Sequence, residues 1–284
     1  MVMKTKSPPK PDTSGITGDA KPEEKTKTEE KPKKPSMTSS FLQSVYTGIK
    51  NKPPRIVLYG TIGIGKSTWA SNAPSPIFIP TEDGQDLIDT SKLPLMKTYA
   101  QVESALDSLA VEKHDFKTVV IDSLDHLERL IWRKVADDKG KPTIDDIGFY
   151  KGYLYAADEM TKILAKVDRL VKERNMGVVL IAHSQVIRFE NPEGESFDRF
   201  APRLHKHTSA IIQEWCDAVL FASYKVYVQS SDETDKAPGK GTGTGERVVR
   251  TTERPAWIAK NRFNLPEDLP LDFSALIKAM KGKK

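Results

Sequence analysis

The chain has 284 residues, a net charge of +5, a single cysteine and 38% hydrophobic residues. One cysteine excludes an internal disulfide and any cysteine-rich zinc site. The length allows one large α/β domain or two small ones. No apolar run is long enough to span a bilayer, so no membrane contact and a cytoplasmic location are expected.

Residues 1–40 are mostly Lys, Pro, Thr, Glu, Asp and Ser, with nine lysines against six acids. Such a stretch cannot bury enough apolar surface to offset its chain entropy, and a disordered basic tail is expected. It lacks the apolar core of a signal peptide, and its acids argue against a transit peptide. The last seven residues add four lysines, which leaves the body between the two ends at −2. Bulk charge alone therefore does not indicate a nucleic-acid partner. Residues 41–280 read as one nucleotide-binding domain.

Taken in order, residues 41–49 suggest a short amphipathic helix. Ile56, Val57, Leu58 and Tyr59 form an apolar run that reads as a buried strand. Gly60, Thr61, Ile62, Gly63, Ile64, Gly65, Lys66 and Ser67 then fit G-x-x-x-x-G-K-[ST], and Thr68 opens a helix. Glycines let backbone N–H groups turn inward around phosphate oxygens. The helix start favours the same anion. In such a loop Lys66 reaches the β- and γ-phosphates and Ser67 places its hydroxyl on Mg²⁺.

Residues 77–79 read as a second strand, and Glu82 and Asp83 follow its end, where open α/β sheets place ligands. Val102, Ala105, Leu106 and Leu109 give a helical stripe. Residues 118–122 are a buried strand closed by Asp122. After a phosphate loop this is the Walker B pattern, whose acid holds Mg²⁺ or its water beside Ser67. An N-capping Asp has the same appearance. Helices are expected over 124–135 and 150–174, with a polar loop at 137–148 between them. Asn175 and Gly177 end the second helix.

Residues 178–182 give the next buried strand, ending in His183, Ser184 and Gln185. His183 and Gln185 stand where a strand end can sense a γ-phosphate; capping of the strand is the other reading of His183. Residues 186–207 read as a long structureless loop with charged, aromatic and proline residues. A helix over 208–215 holds a buried run that includes Cys216 at its end. Strands follow at 218–222 and 224–228. A flexible tip spans 230–246, and no helix follows its glycines, so it is not a second phosphate loop. Strands at 247–251 and 257–259, the triplet Lys260, Asn261 and Arg262, and a helix over 273–280 complete the chain. Alternating strands and helices imply an α/β fold. Its sheet is mainly parallel, with helices on both faces and an antiparallel hairpin at the C-terminal edge.

The segments GTIGIGKST (60–68), FIPTEDG (78–84), VVIDS (119–123), VLIAHSQ (179–185), LHKHTSAIIQEWCDAVLFA (204–222) and AKNRF (259–263) come in this order. Together they resemble a RecA-core P-loop ATPase. The likeness is to the phage-type family of AAA-labelled ATP-binding proteins, whose members include single-strand annealing proteins. It spans roughly residues 54–266 and leaves out the tail. The resemblance implies a RecA-like fold that takes ATP and Mg²⁺. It implies that Glu82 polarises the attacking water, with Asp83 as the runner-up, and that Lys66 and Gln185 join it in catalysis. Asp122 becomes the Walker B acid, and His183 with Gln185 the sensor. The loop after Gln185 becomes a mobile site for single-stranded DNA, with Arg188, Arg199 and Arg203 on phosphates. Lys260 and Arg262 resemble the basic pair that reaches a neighbour's nucleotide in a homo-oligomer; a solvated turn is their other reading.

The chain departs from the pattern in lacking a polymerisation motif before the core and a helical lid after it. Two functions are expected from the whole. One is a DNA-dependent ATPase that binds or anneals single strands in phage recombination or replication. The other is a nucleotide-gated interaction module with little turnover. A small-molecule kinase is disfavoured, because no arginine-rich lid follows the phosphate-loop helix.

Overall fold

A computed structural model describes residues 42–48, 52–228 and 241–282. They fall in two units that divide between Ile49 and Lys50. The first contributes a short 3-10 turn, Leu42–Ser44, in place of the helix expected over 41–49. The tail expected at 1–40 lies outside the described residues.

The second unit carries the sheet. Its chain runs β1 (Arg55–Gly60), α1 (Lys66–Ser71), β2 (Pro76–Pro80), β3 (Ser91–Lys92), α2 (Tyr99–Val111), β4 (Thr118–Asp122) and α3 (Leu124–Asp138). It continues through α4 (Lys151–Glu173), β5 (Gly177–Phe189), β6 (Phe197–Pro202), α5 (Lys206–Trp215), β7 (Ala218–Val228) and β8 (Gly241–Arg250). It closes with β9 (Lys260–Asn261), β10 (Asp268–Pro270) and α6 (Phe273–Lys281). The sheet order is β3-β2-β4-β5-β1-β7-β8-β10, parallel from β3 to β7 and antiparallel beyond. This is the expected α/β fold with its antiparallel C-terminal edge.

β1 lies at the centre because both of its faces are covered, which is why it is an unbroken apolar run and not an alternating one. Val57 and Tyr59 point into the core shared with α2, α3, α4 and α5, while Ile56 and Leu58 point into the core under α1 and α6. Gly60 is required at the strand end. A Cβ there would stand 2.3 Å from the Ala222 carbonyl oxygen of β7. In register, Gly60 lies beside His183, and Asp122 beside Pro80 and Ile181. The carboxyl ends of β1, β2 and β4 and the middle of β5 therefore share one edge of the sheet, the edge at which such folds bind ligands.

The structure corrects the expected loop over 186–207. β5 runs on to Phe189 and pairs antiparallel with β6, from Ser184 opposite Pro202 to Phe189 opposite Phe197. The Asn191 side chain accepts from the Glu193 N–H at 3.1 Å and tightens the turn between them. The hairpin escapes a pattern search because its polarity is inverted: Val186 and Phe189 are exposed while Arg199 is buried. Two strand boundaries also move. β8 starts at Gly241, inside the expected flexible tip, whose residues 229–240 lie outside the described set. The strand expected at 257–259 gives way to β9, with Trp257 making only isolated bridges.

The Tyr59 hydroxyl ties the hairpin and the segment before β9 to the central strand. Tyr59 is fully buried and donates toward the carbonyls of Ile258 at 2.7 Å and Phe200 at 3.2 Å. Tyr59→Phe leaves a buried acceptor without its donor. It should lower unfolding stability by about 1–2 kcal/mol in urea titrations without altering the fold.

Candidate functional site

The loop after β1 is shaped by its two glycines. Gly63 has φ 75° and Gly65 φ 102°, a left-handed conformation that side chains disfavour. Thr61 and Ile62 face solvent, Ile62 being 78% exposed, whereas Ile64 is fully buried and anchors the loop to the core under α6. Lys66, Ser67 and Thr68 form the first turn of α1, whose leading N–H groups have no acceptor within the helix. Arg247 of β8 reaches over this loop and donates to the Ile64 carbonyl at 3.3 Å. Its strand is remote in sequence, and nothing in the local pattern marks it.

Lys66 is buried, and its ammonium donates to the carbonyls of Gly60 at 3.2 Å and Thr61 at 2.9 Å. Burial lowers its pKa, against the fields of Asp122, Glu82 and Asp125, which raise it. The Ser67 hydroxyl donates to Asp122 Oδ2 at 2.6 Å, and the Gln85 amide donates to the same oxygen at 2.8 Å. Burial pushes the Asp122 carboxyl up to about 6, although both hydrogen bonds pull it down. Its other oxygen, Oδ1, is buried and meets no donor among the described residues. A hydroxyl and a carboxylate with an unpartnered oxygen are the hard oxygen donors that Mg²⁺ requires, so Ser67 and Asp122 fit that ion.

Glu82 follows the end of β2, where Thr81 is latched to β4 by its N–H on the Asp122 carbonyl at 2.8 Å and its hydroxyl on the Ser123 carbonyl at 2.6 Å. The Glu82 carboxylate is 2.6 Å from His126 Nδ1 and 3.9 Å from His183 Nε2. Asp83 caps its own turn, accepting from the Gly84 N–H at 2.9 Å. Asp125, in the first turn of α3, accepts from the backbone N–H of His183 at 3.1 Å and lies 3.1 Å from His183 Nδ1. It also accepts a short hydrogen bond from the Arg203 guanidinium, at 2.5 Å. Burial raises the Asp125 carboxyl, but these partners outweigh it and hold it well below the usual carboxylate range.

Phosphate loop, Asp122, Glu82 and His183 are thus brought to one edge. Gln185 stands two residues on, and its amide donates to the carbonyls of Pro202 at 3.0 Å and Leu204 at 3.2 Å, at the root of the hairpin. Lys260 and Arg262 do not join them. Lys260 pairs opposite Val219 at the amino end of β7 and donates to the carbonyls of Gln213, Glu214 and Cys216, capping the end of α5. Arg262 pairs with Asp217 at 3.3 Å. The phosphate loop leaves the opposite, carboxyl end of β1.

The three hairpin arginines expected on phosphates are engaged within the chain. Arg188 pairs with Asp198 at 3.5 Å, and Arg203 with Asp125. Arg199 is buried and pairs with Glu253 at 2.6 Å. Sequence reasoning missed Gln85, Asp125 and His126. The last two sit in the run DSLDH directly after the Walker B strand, where charged residues at a strand end are the available signal.

The model of a family described as an AAA domain matches residues 52–263, about three quarters of the chain. No curated protein matches it.

The raised Asp122 pKa sets the pH response. Below about 6 its carboxyl holds a proton, which would compete with a Mg²⁺ ion at this oxygen pair. The Mg²⁺ dependence of nucleotide affinity should weaken as pH falls through that value, and Asp122→Asn should remove the step. Nucleotide titrations at several Mg²⁺ concentrations between about pH 5 and 8 measure it.

Proposed function

The chain belongs to the AAA domain family, and on that premise we propose that it binds ATP with Mg²⁺, hydrolyses it, and couples the nucleotide to single-stranded DNA. Family membership supports a nucleotide-binding ATPase. The observation that carries the site is the 2.6 Å contact of Ser67 with the Walker B carboxylate of Asp122, beside the buried ammonium of Lys66.

Lys66 holds phosphate charge by exchanging its two carbonyl contacts for phosphate oxygens. Ser67 and Asp122 would hold Mg²⁺, which when bound neutralises charge on the transferring phosphoryl group. Glu82 orients the attacking water, and His126, 2.6 Å away, fixes its carboxylate. His183 stands between Glu82 and Asp125, where it responds to charge at either.

Support for the DNA reading comes from the surface next to this edge. Beyond Arg203 lies a cavity of about 870 Å³ with Trp132, Tyr153 and Gln185 in its wall. Tyr153 stacks on His205 with ring centroids 4.1 Å apart. The exposed cations Arg129 and Lys206 flank it. Aromatic faces beside a cationic track suit single strands in general. One observation favours the nucleotide-gated interaction module instead: the three hairpin arginines are engaged by acids and carbonyls of the chain itself.

Two variants test the hydrolytic reading. Lys66→Ala should abolish nucleotide binding or turnover. Glu82→Gln should keep ATP affinity and lower turnover by about 10²–10⁴-fold, the range for a positioned base. An unchanged rate in the Glu82 variant moves the water-orienting role to another group.

DNA coupling is read from ATPase rates with and without an oligonucleotide, and from a salt titration of binding. The Arg129→Ala/Lys206→Ala double variant should lower the salt slope, since each phosphate contact releases counterions. If wild type does not bind DNA at any salt concentration, the interaction module is the better reading.

A further inference from the structure

We infer that Glu82, His126 and His183 form a binding site for one zinc-class divalent cation, distinct from the Ser67–Asp122 oxygen pair. The three residues come from the end of β2, the first turn of α3 and the middle of β5, and each offers one ligand atom within 4.8 Å of the others. Glu82 Oε2 lies 2.6 Å from His126 Nδ1, and its other oxygen, Oε1, 3.9 Å from His183 Nε2. Tetrahedral zinc with bonds of about 2.0–2.1 Å separates its ligand atoms by about 3.3 Å. The 4.8 Å bound on the three ligand atoms requires the side chains to close by about 1.5 Å at most around the ion.

A second observation concerns how the histidine is held. His183 Nδ1 is turned to the buried Asp125 carboxylate, which Arg203 and the His183 N–H fix in turn. Arg203 also lies 3.1 Å from that same ring nitrogen. With its proton on Nδ1 toward Asp125 the ring leaves Nε2 for Glu82, and Arg203 then bonds Asp125 and not the ring. A carboxylate on the far nitrogen is the arrangement that orients metal-bound imidazole and raises its basicity. The Ser123 hydroxyl, 2.9 Å from the same His126 Nδ1, has to yield that nitrogen to the cation.

The chemistry of the donors separates this site from its neighbour. Two imidazoles and one carboxylate suit zinc and similar transition ions, whereas the oxygen pair of Ser67 and Asp122 suits Mg²⁺. The local charge also favours a cation. Three carboxylates, Asp122, Glu82 and Asp125, act on Lys66 here, with Arg203 as the further cation. The side chains are 13% to 28% exposed, so an ion can enter. The cation takes the place of the direct Glu82–His126 contact.

A bound ion occupies the carboxylate assigned above to orient water, so filling the site inhibits turnover. That consequence rests on the hydrolytic reading; the cation site itself does not.

The test is a Zn²⁺ titration of the metal-free full chain against a chromophoric chelator, in large excess of Mg²⁺ and without nucleotide. Wild type should bind one equivalent. His126→Ala and His183→Ala should each weaken binding at least tenfold, while Asp122→Asn and the His205→Ala/His207→Ala double variant stay within about threefold. Should His183→Ala fail to fold, the partly exposed His126 variant decides, read also by Co²⁺ absorption. A tetrahedral ligand-field band in wild type and none in His126→Ala supports the site. No binding by wild type, or equal binding by wild type and His126→Ala, overturns it. Zn²⁺ bound with turnover undiminished leaves the cation site standing and overturns the role given to Glu82.

Discussion

Asp122 is almost wholly removed from water, and one of its oxygens has no donor among the described residues. An isolated buried carboxylate is costly, and its charge is held in place by the groups around it. Ser67 and Gln85 hydrogen-bond one oxygen, and the field of Lys66 adds to them. None of these contacts is local. Ser67 follows β1, Gln85 follows β2, and Asp122 ends β4. They meet because three parallel strands stop in register at one edge. The sheet order thus sets the position of each group with respect to the others, and an error of one residue in register would separate them.

A second layer of polar contacts ties this edge to the hairpin. Arg203, just after β6, bonds Asp125, and Asp125 holds His183, which faces Glu82. Gln185 fastens the same root through the Pro202 and Leu204 carbonyls. Any ligand that draws Arg203 away from Asp125 would change the field at His183 and so at Glu82. The hairpin root and this edge are physically connected through four side chains.

The far end of the sheet is built differently. Lys260 places its ammonium on three carbonyls at the end of α5, where a positive charge suits the helix dipole. Arg55, Asp217 and Arg262 form an ion-pair group beside it. These cations serve the packing of α5 and β9 on β7. A role for Lys260 toward a neighbouring subunit's nucleotide would have to release contacts that currently close a helix.

The phosphate loop, the Walker B strand and the mainly parallel sheet could be read from the chain because each is written within a few neighbouring residues. A glycine spacing fixes the loop, and unbroken apolar runs mark strands covered on both faces. The end of β2 also located Glu82 and Asp83, and the motif order located Asp122 and His183. The hairpin could not be read in this way. Its strands are held by backbone hydrogen bonds, and they bury Arg199 while exposing Val186, so apolar periodicity does not mark them. The partners of Glu82 and His183 were equally hidden. His183 and Asp125 are 58 residues apart, and Arg203 and Asp125 78. Whether an arginine faces a phosphate or a buried carboxylate depends on which strand ends lie beside it. Only the folded sheet brings those ends together.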